Sequence, residues 1–254
     1  MTAPVSVVRL PDGYDLFCLD VVDNTNEEAK RLADKGTGNG ALVWARQQQS
    51  GRGRRGRVWS SPAGNLYCSL LLRPERPLNE SARLTFLAAI AMAEAIDQVT
   101  ANRVQPACKW PNDLLVHGRK LSGILLESAS SRGTDTDYLV IGTGVNVAFH
   151  PEDSESPATS LASLGAPVSV RDLVEAYMAR MAHWLDIWQQ QGFVPIRAAW
   201  LARAHGLGEA VTARLSDRTQ EGTFVGLDDN GALLLRDNTG QDHFIGAGEI
   251  FFRS

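Results

Sequence analysis

A long apolar stripe followed by an abrupt change of texture constrains the fold most. Between residues 170 and 190, Val170, Leu173, Val174, Tyr177, Met178, Met181, Trp184, Leu185 and Trp188 recur at helical spacing. That is the pattern of a helix with one face in a core. From Gly206-Leu207-Gly208 onward the chain breaks into short strand-like runs at 210–215, 222–227, 232–236, 243–245 and 250–252. Asp229-Asn230-Gly231 and Asn238-Thr239-Gly240 are turn signals between such runs. A helix-containing body over residues 1–207 and a small all-β unit of barrel type over 208–254 are expected. A chain of 254 residues suits one large domain with such an appendage.

The body reads as strands interleaved with helices. Residues 5–22 look like short strands around a turn at Pro11-Asp12-Gly13. Thr25-Asn26-Glu27-Glu28, ahead of Ala29, Leu32 and Ala33, marks a helix start that Gly36 to Gly40 would end. Strand candidates follow at 41–45 and 65–72, then a buried helix rich in Ala, Leu and Ile at 81–100. Runs at 114–116 and 121–127 flank a turn at His117-Gly118-Arg119, and 138–146 is a further strand. Residues 147–168, rich in Pro, Ser and acidic side chains, read as a surface loop. The fold class is α+β: a mixed β-sheet with flanking helices, then a small β-barrel.

Net charge is -4, whereas chains that live on DNA or an anionic membrane are usually basic overall. Three cysteines, Cys18, Cys68 and Cys108, are too few and too widely spaced for a disulfide framework or a metal pattern. They read as reduced thiols of a cytoplasmic protein. The five histidines form no metal pair. The N-terminus lacks the basic and apolar regions of a secretory signal, and no apolar run is long enough to span a bilayer.

Against that acidic balance stands Gly51-Arg52-Gly53-Arg54-Arg55-Gly56-Arg57, with four arginines in seven residues. Glycines let the backbone approach a ligand and leave its N–H groups free for anions. Arginine adds a planar fork of donors matched to carboxylate and phosphate. The loop asks for an anion, and a nucleic-acid patch would satisfy it as well. A second polar string runs from Lys109-Trp110-Pro111-Asn112-Asp113 to Gly118-Arg119-Lys120-Leu121-Ser122-Gly123-Ile124-Leu125-Leu126-Glu127. Its lysines suit charged oxygens, Gly123 permits close approach, and a strand pair with protective edge lysines is the alternative.

Together these strings resemble the biotin protein ligases. The resemblance also rests on Asp23-Asn24-Thr25-Asn26, Gln48-Gln49-Ser50, Trp59-Ser60-Ser61-Pro62, Gly64-Asn65-Leu66-Tyr67, Ile141-Gly142-Thr143-Gly144-Val145-Asn146-Val147 and Gly248-Glu249-Ile250-Phe251-Phe252-Arg253-Ser254. Their order matches the family nearly end to end. It departs at Asn24, where the family often has Ser. Asp23-Asn24-Thr25-Asn26 also falls within the first 26 residues, so no room is expected for the N-terminal DNA-binding domain of the repressor members.

The resemblance implies a class II aminoacyl-tRNA synthetase-like catalytic domain followed by an SH3-like module. It implies a ligase acting in two steps: biotin and ATP give biotinyl-5′-AMP, and a lysine of a biotin carboxyl carrier domain, as in acetyl-CoA carboxylase, takes the biotin. By resemblance Asn24, Thr25, Asn26, Gln48, Arg52, Gly53, Arg54 and Lys120 contact biotin or its acyl phosphate. Arg55, Trp59, Asn146 and Arg253 belong to the nucleotide side. Lys120 and Arg55 are the electrostatic catalysts, and Asp113 either serves the incoming amine or is a structural carboxylate. Mg²⁺ comes with ATP, with no metal site of the protein's own. The arginine–glycine loop is expected to be mobile when empty and ordered over the adenylate. No DNA or membrane partner is expected, and the chain would be a monomer or weak homodimer. A lipoate ligase shares the two-step chemistry and differs in the acyl group.

Overall fold

A parallel pair of strands cannot be joined by a hairpin and needs a crossover. The chain begins with such a unit. β1 (Asp15–Val22) and β2 (Ala41–Gln48) pair in parallel, and α1 (Thr25–Asp34) crosses between them. The Asn24 side-chain oxygen caps α1, accepting from the N–H groups of Asn26 at 2.8 Å and Glu27 at 3.3 Å. At the other end Gly36 takes φ 84°, and its N–H donates to the Ala33 carbonyl at 3.0 Å. The computed structural model describes residues 8–74, 76–129, 137–153, 156–215 and 217–252.

β3 (Leu66–Leu72) follows with every residue buried, then the single turn α2 (Leu78–Ser81) and α3 (Leu84–Val99). α3 is apolar on all sides because it is enclosed between the sheet and a later helix. β4 (Ala107–Lys109), β5 (Asp113–Val116), β6 (Arg119–Ala129) and β7 (Tyr138–Val145) complete a seven-stranded sheet in the order β1-β2-β3-β7-β6-β5-β4. Every pairing after β1–β2 is antiparallel, so the expected mixed sheet is present.

The period of two in the strands sorts their side chains onto two faces. Leu42, Leu70, Leu72 and Ile141 face the main core with α3, α4 (Val170–Gln191) and α5 (Val194–Ala202). Ala41, Val43, Leu71 and Val140 face the other way, against Ala29 and Ala33 of α1. α1 is short and covers only part of that second face. The rest is open, and the candidate site lies there.

β8 (Ala210–Arg214), β9 (Thr219–Leu227), β10 (Leu233–Arg236), β11 (Asp242–Ile245) and β12 (Glu249–Phe252) form an antiparallel sheet in the order β11-β10-β9-β8-β12. Among the described residues β11 and β12 remain unpaired edges, so the expected barrel is a five-stranded sheet without closure. Its apolar face, with Phe224, Leu233, Leu235 and Ile250, belongs to the same core as Trp110 and Trp200 of the body. The Trp110 indole N–H donates to the Gly231 carbonyl at 3.1 Å, tying the two sheets together.

One local expectation needs correction, and two elements were not expected at all. Residues 147–168 are not simply a surface loop: Ala158, Thr159, Ser160 and Leu161 are buried. Their polarity misled because it is satisfied internally, with the Thr159 N–H donating to the Lys120 carbonyl at 2.9 Å and the Leu161 N–H to Asn146 at 3.0 Å. α5 had no expectation; Pro195 near its start resembles a breaker but is tolerated in a first turn. β4 has three residues, too few for a periodic signal. Of the strands expected over 5–22, residues 5–7 lie outside the described residues, and the strand begins at Asp15.

Candidate active site

The floor of the site is a patch of sheet without side chains. Gly123 of β6 lies opposite Gly144 of β7, with Gly142 two residues before it on the same face. A methyl group at Gly144 would stand 2.7 Å from the Trp59 indole, and one at Gly123 would stand 3.1 Å from it and 3.3 Å from Lys120 Cε. Trp59 therefore lies flat on glycine, with the Lys120 ammonium 5.5 Å from its ring centroid. Above this floor opens a cavity of about 380 Å³.

One end of the cavity is polar and uncharged. The start of α1 places Asn24, Thr25 and Asn26 there, all buried. The Gln48 carbonyl oxygen accepts from the Thr25 N–H at 2.8 Å and hydroxyl at 3.1 Å, and its amide donates to Ser61 Oγ at 2.9 Å. Ser69 Oγ lies 2.8 Å from Thr25 Oγ1 and donates to Asn26 Oδ1 at 2.6 Å. The Asn26 amide donates to Glu127 Oε2 at 2.7 Å. Burial alone would raise the Glu127 carboxyl, but hydrogen bonds from Lys30 and Asn26 and the charge of Lys30 hold it below its ordinary value.

The other end is charged, with an excess of cations. Arg54, Arg57, Lys109 and Lys120 line the cavity there with Asp113 and Glu249, while Arg52 lines it beside Glu27 of α1. Lys120 pairs with Asp113 at 2.7 Å, and its backbone is pinned by a 2.7 Å hydrogen bond to the Pro157 carbonyl. Arg54 donates to Asn112 Oδ1 at 3.2 Å, while Asn112 Nδ2 donates to the Ile124 carbonyl at 2.6 Å. Burial pushes the Arg54 guanidinium below its ordinary value, against the pull of Asp113. It does the same to the Lys109 ammonium, opposed by Asp113 and Glu249. A partly desolvated cation attracts an anion more strongly than one in water.

The arginine–glycine loop closes on itself. The Gly53 N–H donates to the Arg57 carbonyl at 2.7 Å and the Trp59 N–H to Gly51 at 2.9 Å. A 3₁₀ turn, Arg54–Gly56, forms the tip, with Arg55 left-handed at φ 56°. Its side chains reach three different elements: Arg52 meets Glu27 of α1 at 3.3 Å, Arg54 meets Asn112, and Arg57 makes a two-pronged pair with Glu249 of β12 at 3.0 and 3.1 Å.

Of the residues singled out in the sequence, Asn24, Thr25, Asn26, Gln48, Arg52, Gly53, Arg54, Trp59, Asp113, Lys120 and Asn146 all line this one cavity. Arg55 sits at the exposed loop tip, off the cavity wall. Arg253 lies outside the described residues. Asn146 is buried and its amide donates to the Thr159 carbonyl at 3.0 Å, which holds the segment beside Lys120 in place. Sequence reasoning missed the support groups Ser61, Ser69, Glu127 and Glu249. Serine and glutamate carry no signal of their own; only the register of β3 and β6 opposite α1 reveals two of them.

Residues 18–146 match the biotin/lipoate A/B protein ligase family, and residues 206–253 match the biotin protein ligase C terminal domain. Biotin–[acetyl-CoA-carboxylase] ligase of Paracoccus denitrificans is 42% identical over 236 residues, covering 91% of this chain and 97% of that protein. The chain belongs to the biotin protein ligase family. Within that family, the bifunctional ligase/repressor BirA of Escherichia coli is 33% identical over 96% of this chain and 75% of its own length. The biotin protein ligase of Aquifex aeolicus, solved with biotin and ATP, superposes with a TM-score of 0.80 at 29% identity, over 94% of this chain and 98% of that one. The enzyme of Leishmania major, solved with biotinyl-5-AMP, gives a TM-score of 0.66 at 25% identity, over 92% of this chain and 99% of that one. The catalytic fold and the C-terminal unit thus both have counterparts in the family, and the chain is an enzyme of its ligase class.

Proposed function

We propose that this biotin protein ligase activates biotin with ATP as biotinyl-5′-AMP and passes the biotin to a specific lysine of a biotin carboxyl carrier domain. The observation that carries this reading is one cavity whose wall joins a hydrogen-bonded cluster of neutral side chains, Thr25, Asn26 and Gln48, to a cluster of cations around Asn112 and Asp113. Biotin has two matching parts: a neutral ureido ring that both donates and accepts hydrogen bonds, and a carboxylate. The Aquifex and Leishmania structures hold biotin with ATP and biotinyl-5-AMP, which supports the same ligands here. Residues 1–207 would form the catalytic domain and 208–254 the C-terminal domain of a cytoplasmic monomer or weak dimer.

In the first step a biotin carboxylate oxygen bonds to the α-phosphorus of ATP, and the bond from that phosphorus to the bridging oxygen breaks, releasing pyrophosphate. Nucleophile and target are both anionic, so cations and N–H donors aimed at the developing charge are the natural catalysts. Arg52, Arg54, the Gly53 backbone and Lys120 would meet the acyl phosphate, and Arg55, which stands at the loop tip off the cavity wall, would reach the outer phosphates only from there. Mg²⁺ enters with the nucleotide as part of the substrate. Trp59, Asn146 and Arg253 belong to the nucleotide side, and Asn24, Thr25, Asn26 and Gln48 to the ureido side. No general base is needed, because the carboxylate is already ionised.

In the second step the carrier lysine, as its free amine, attacks the acyl carbon, and AMP leaves with the bond's electrons. Asp113 holds Lys120 by an ion pair; its carboxylate would either take the proton of the amine or serve only to hold Lys120. The test is incubation with biotin, Mg-ATP and a carrier domain, read by intact mass. One biotin on one lysine is expected; an unmodified carrier after full turnover conditions would overturn the reading.

A further inference from the structure

The carboxamide of Asn26 is held by the protein in a way that leaves one atom for a ligand. Its nitrogen donates to Glu127 Oε2 at 2.7 Å and faces the Leu125 carbonyl at 3.4 Å. Its oxygen accepts from Ser69 at 2.6 Å and stands over the bare backbone of Gly142. A carbonyl oxygen has two lone pairs, so one remains for the cavity. An amide can turn over and exchange its oxygen for its nitrogen. Here Glu127, the nearer acceptor, opposes the exchange most strongly, because an ionised carboxylate only accepts, and the more distant Leu125 carbonyl adds to it.

The carboxylate is itself divided between two donors. Glu127 Oε1 takes the Lys30 ammonium at 2.7 Å, and Oε2 takes Asn26. Lys30 also reaches Glu27 at 3.1 Å. Two donors converge on one side chain that has no hydrogen to offer, and each approaches a different oxygen.

We propose that Glu127 is a positioning residue that fixes the hydrogen-bonding polarity of the ligand pocket, holding Asn26 as an acceptor so that the neutral end selects a ligand N–H. The proposal rests on the biotin reading, in which that N–H belongs to the ureido ring. Its consequence is sharp at Glu127→Gln. An amide has a single oxygen, and the charged Lys30 claims it. The new NH₂ then faces Asn26, which must turn over to accept from it. Asn26 now points a donor at the ureido N–H, and the pocket opposes its ligand. Replacing Lys30 as well, in Lys30→Met/Glu127→Gln, frees the glutamine oxygen for Asn26 and restores the original polarity.

Calorimetric titration with biotin alone tests this, on the unmodified protein, Glu127→Gln and the double variant, with melting temperatures for each. Glu127→Gln is expected to bind biotin about tenfold more weakly, the scale of one hydrogen bond turned against its partner, and the double variant to return within about threefold of the unmodified protein. Unchanged binding by Glu127→Gln would overturn the proposal. So would a double variant as weak as the single one, which would mean that Glu127 acts through packing or charge alone. If Glu127→Gln does not fold, the double variant is read alone: affinity within threefold supports the proposal and a tenfold loss overturns it. No binding by the unmodified protein would instead overturn the biotin reading, and this proposal with it.

Discussion

At the scale of single residues, the site is built by fixing side chains that would otherwise be mobile. Lys120 is the clearest example. Its backbone is clamped to Pro157 and Thr159, its ammonium is paired with Asp113 at 2.7 Å, and its stem lies along Gly123 beside Trp59. A cation held in advance stabilises developing charge without reorganising at the moment of reaction. Lys120→Met keeps the stem and removes the charge. It is expected to lower the rate of adenylate formation by about 10²–10³-fold, as for loss of one preorganised donor, with little change in melting temperature. Single-turnover kinetics check this, and a loss confined to the carrier-transfer step would show that Lys120 serves the second reaction only. Asn24 illustrates the opposite case. In the sequence it departs from a familiar serine; in the fold its carbonyl oxygen caps α1 while its amide donates to the Ser50 carbonyl at 3.1 Å. Serine could supply the cap, but it has no amide to reach Ser50.

At the scale of elements, the arginine–glycine loop is fastened to α1, to the turn before β5, and to β12. Among the described residues, the Arg57–Glu249 pair joins the loop to the C-terminal sheet. Burial would raise the Glu249 carboxyl, but the hydrogen bonds and charge of Arg57, with Lys109 and Arg55, keep it ionised below its ordinary value. Glu249→Ala removes this anchor from a partly buried edge strand, and Glu249 lies outside the apolar core. Hydrogen exchange across residues 51–57 is expected to quicken severalfold while the melting temperature stays within a few degrees; unchanged exchange would show that the loop is held by its other anchors. The loop itself was legible in the sequence, because four arginines among glycines announce an anion. Its anchors were not, because Glu27, Asn112 and Glu249 are ordinary polar residues whose meaning depends on where the chain brings them. The helix 170–190 was legible for the same reason that α5 was not: a long stripe repeats its period several times, and nine residues do not.

At the scale of the molecule, the two sheets share one core. Trp110 and Trp200 of the body pack with Phe224, Leu233 and Ile250 of the C-terminal sheet, and the Trp200 and Phe224 rings meet edge to face at 6.5 Å. The change of texture near Gly206 marks a change of architecture, but it does not mark an independent core. Stability against acid is also distributed over both parts. Asp23 is pulled down to about 2 by hydrogen bonds from Arg31, and Glu127 and Glu249 are likewise held below their ordinary values. A carboxylate depressed in the folded state contributes stability above its unfolded value and loses it as pH falls through the folded one. Denaturant midpoints are therefore expected to be flat above about pH 5 and to fall as pH drops from about 4.5 toward 2. A midpoint that rises on acidification would contradict these pairings.

The joining of a neutral cluster to a cluster of cations in one cavity is the central claim, since it assigns both the acid to be activated and the way it is activated. Biotin-dependent exchange of labelled pyrophosphate into ATP, with no acceptor protein present, tests it most directly. Exchange is predicted with biotin and not with lipoate. Exchange with lipoate alone, or none with either acid, would contradict it.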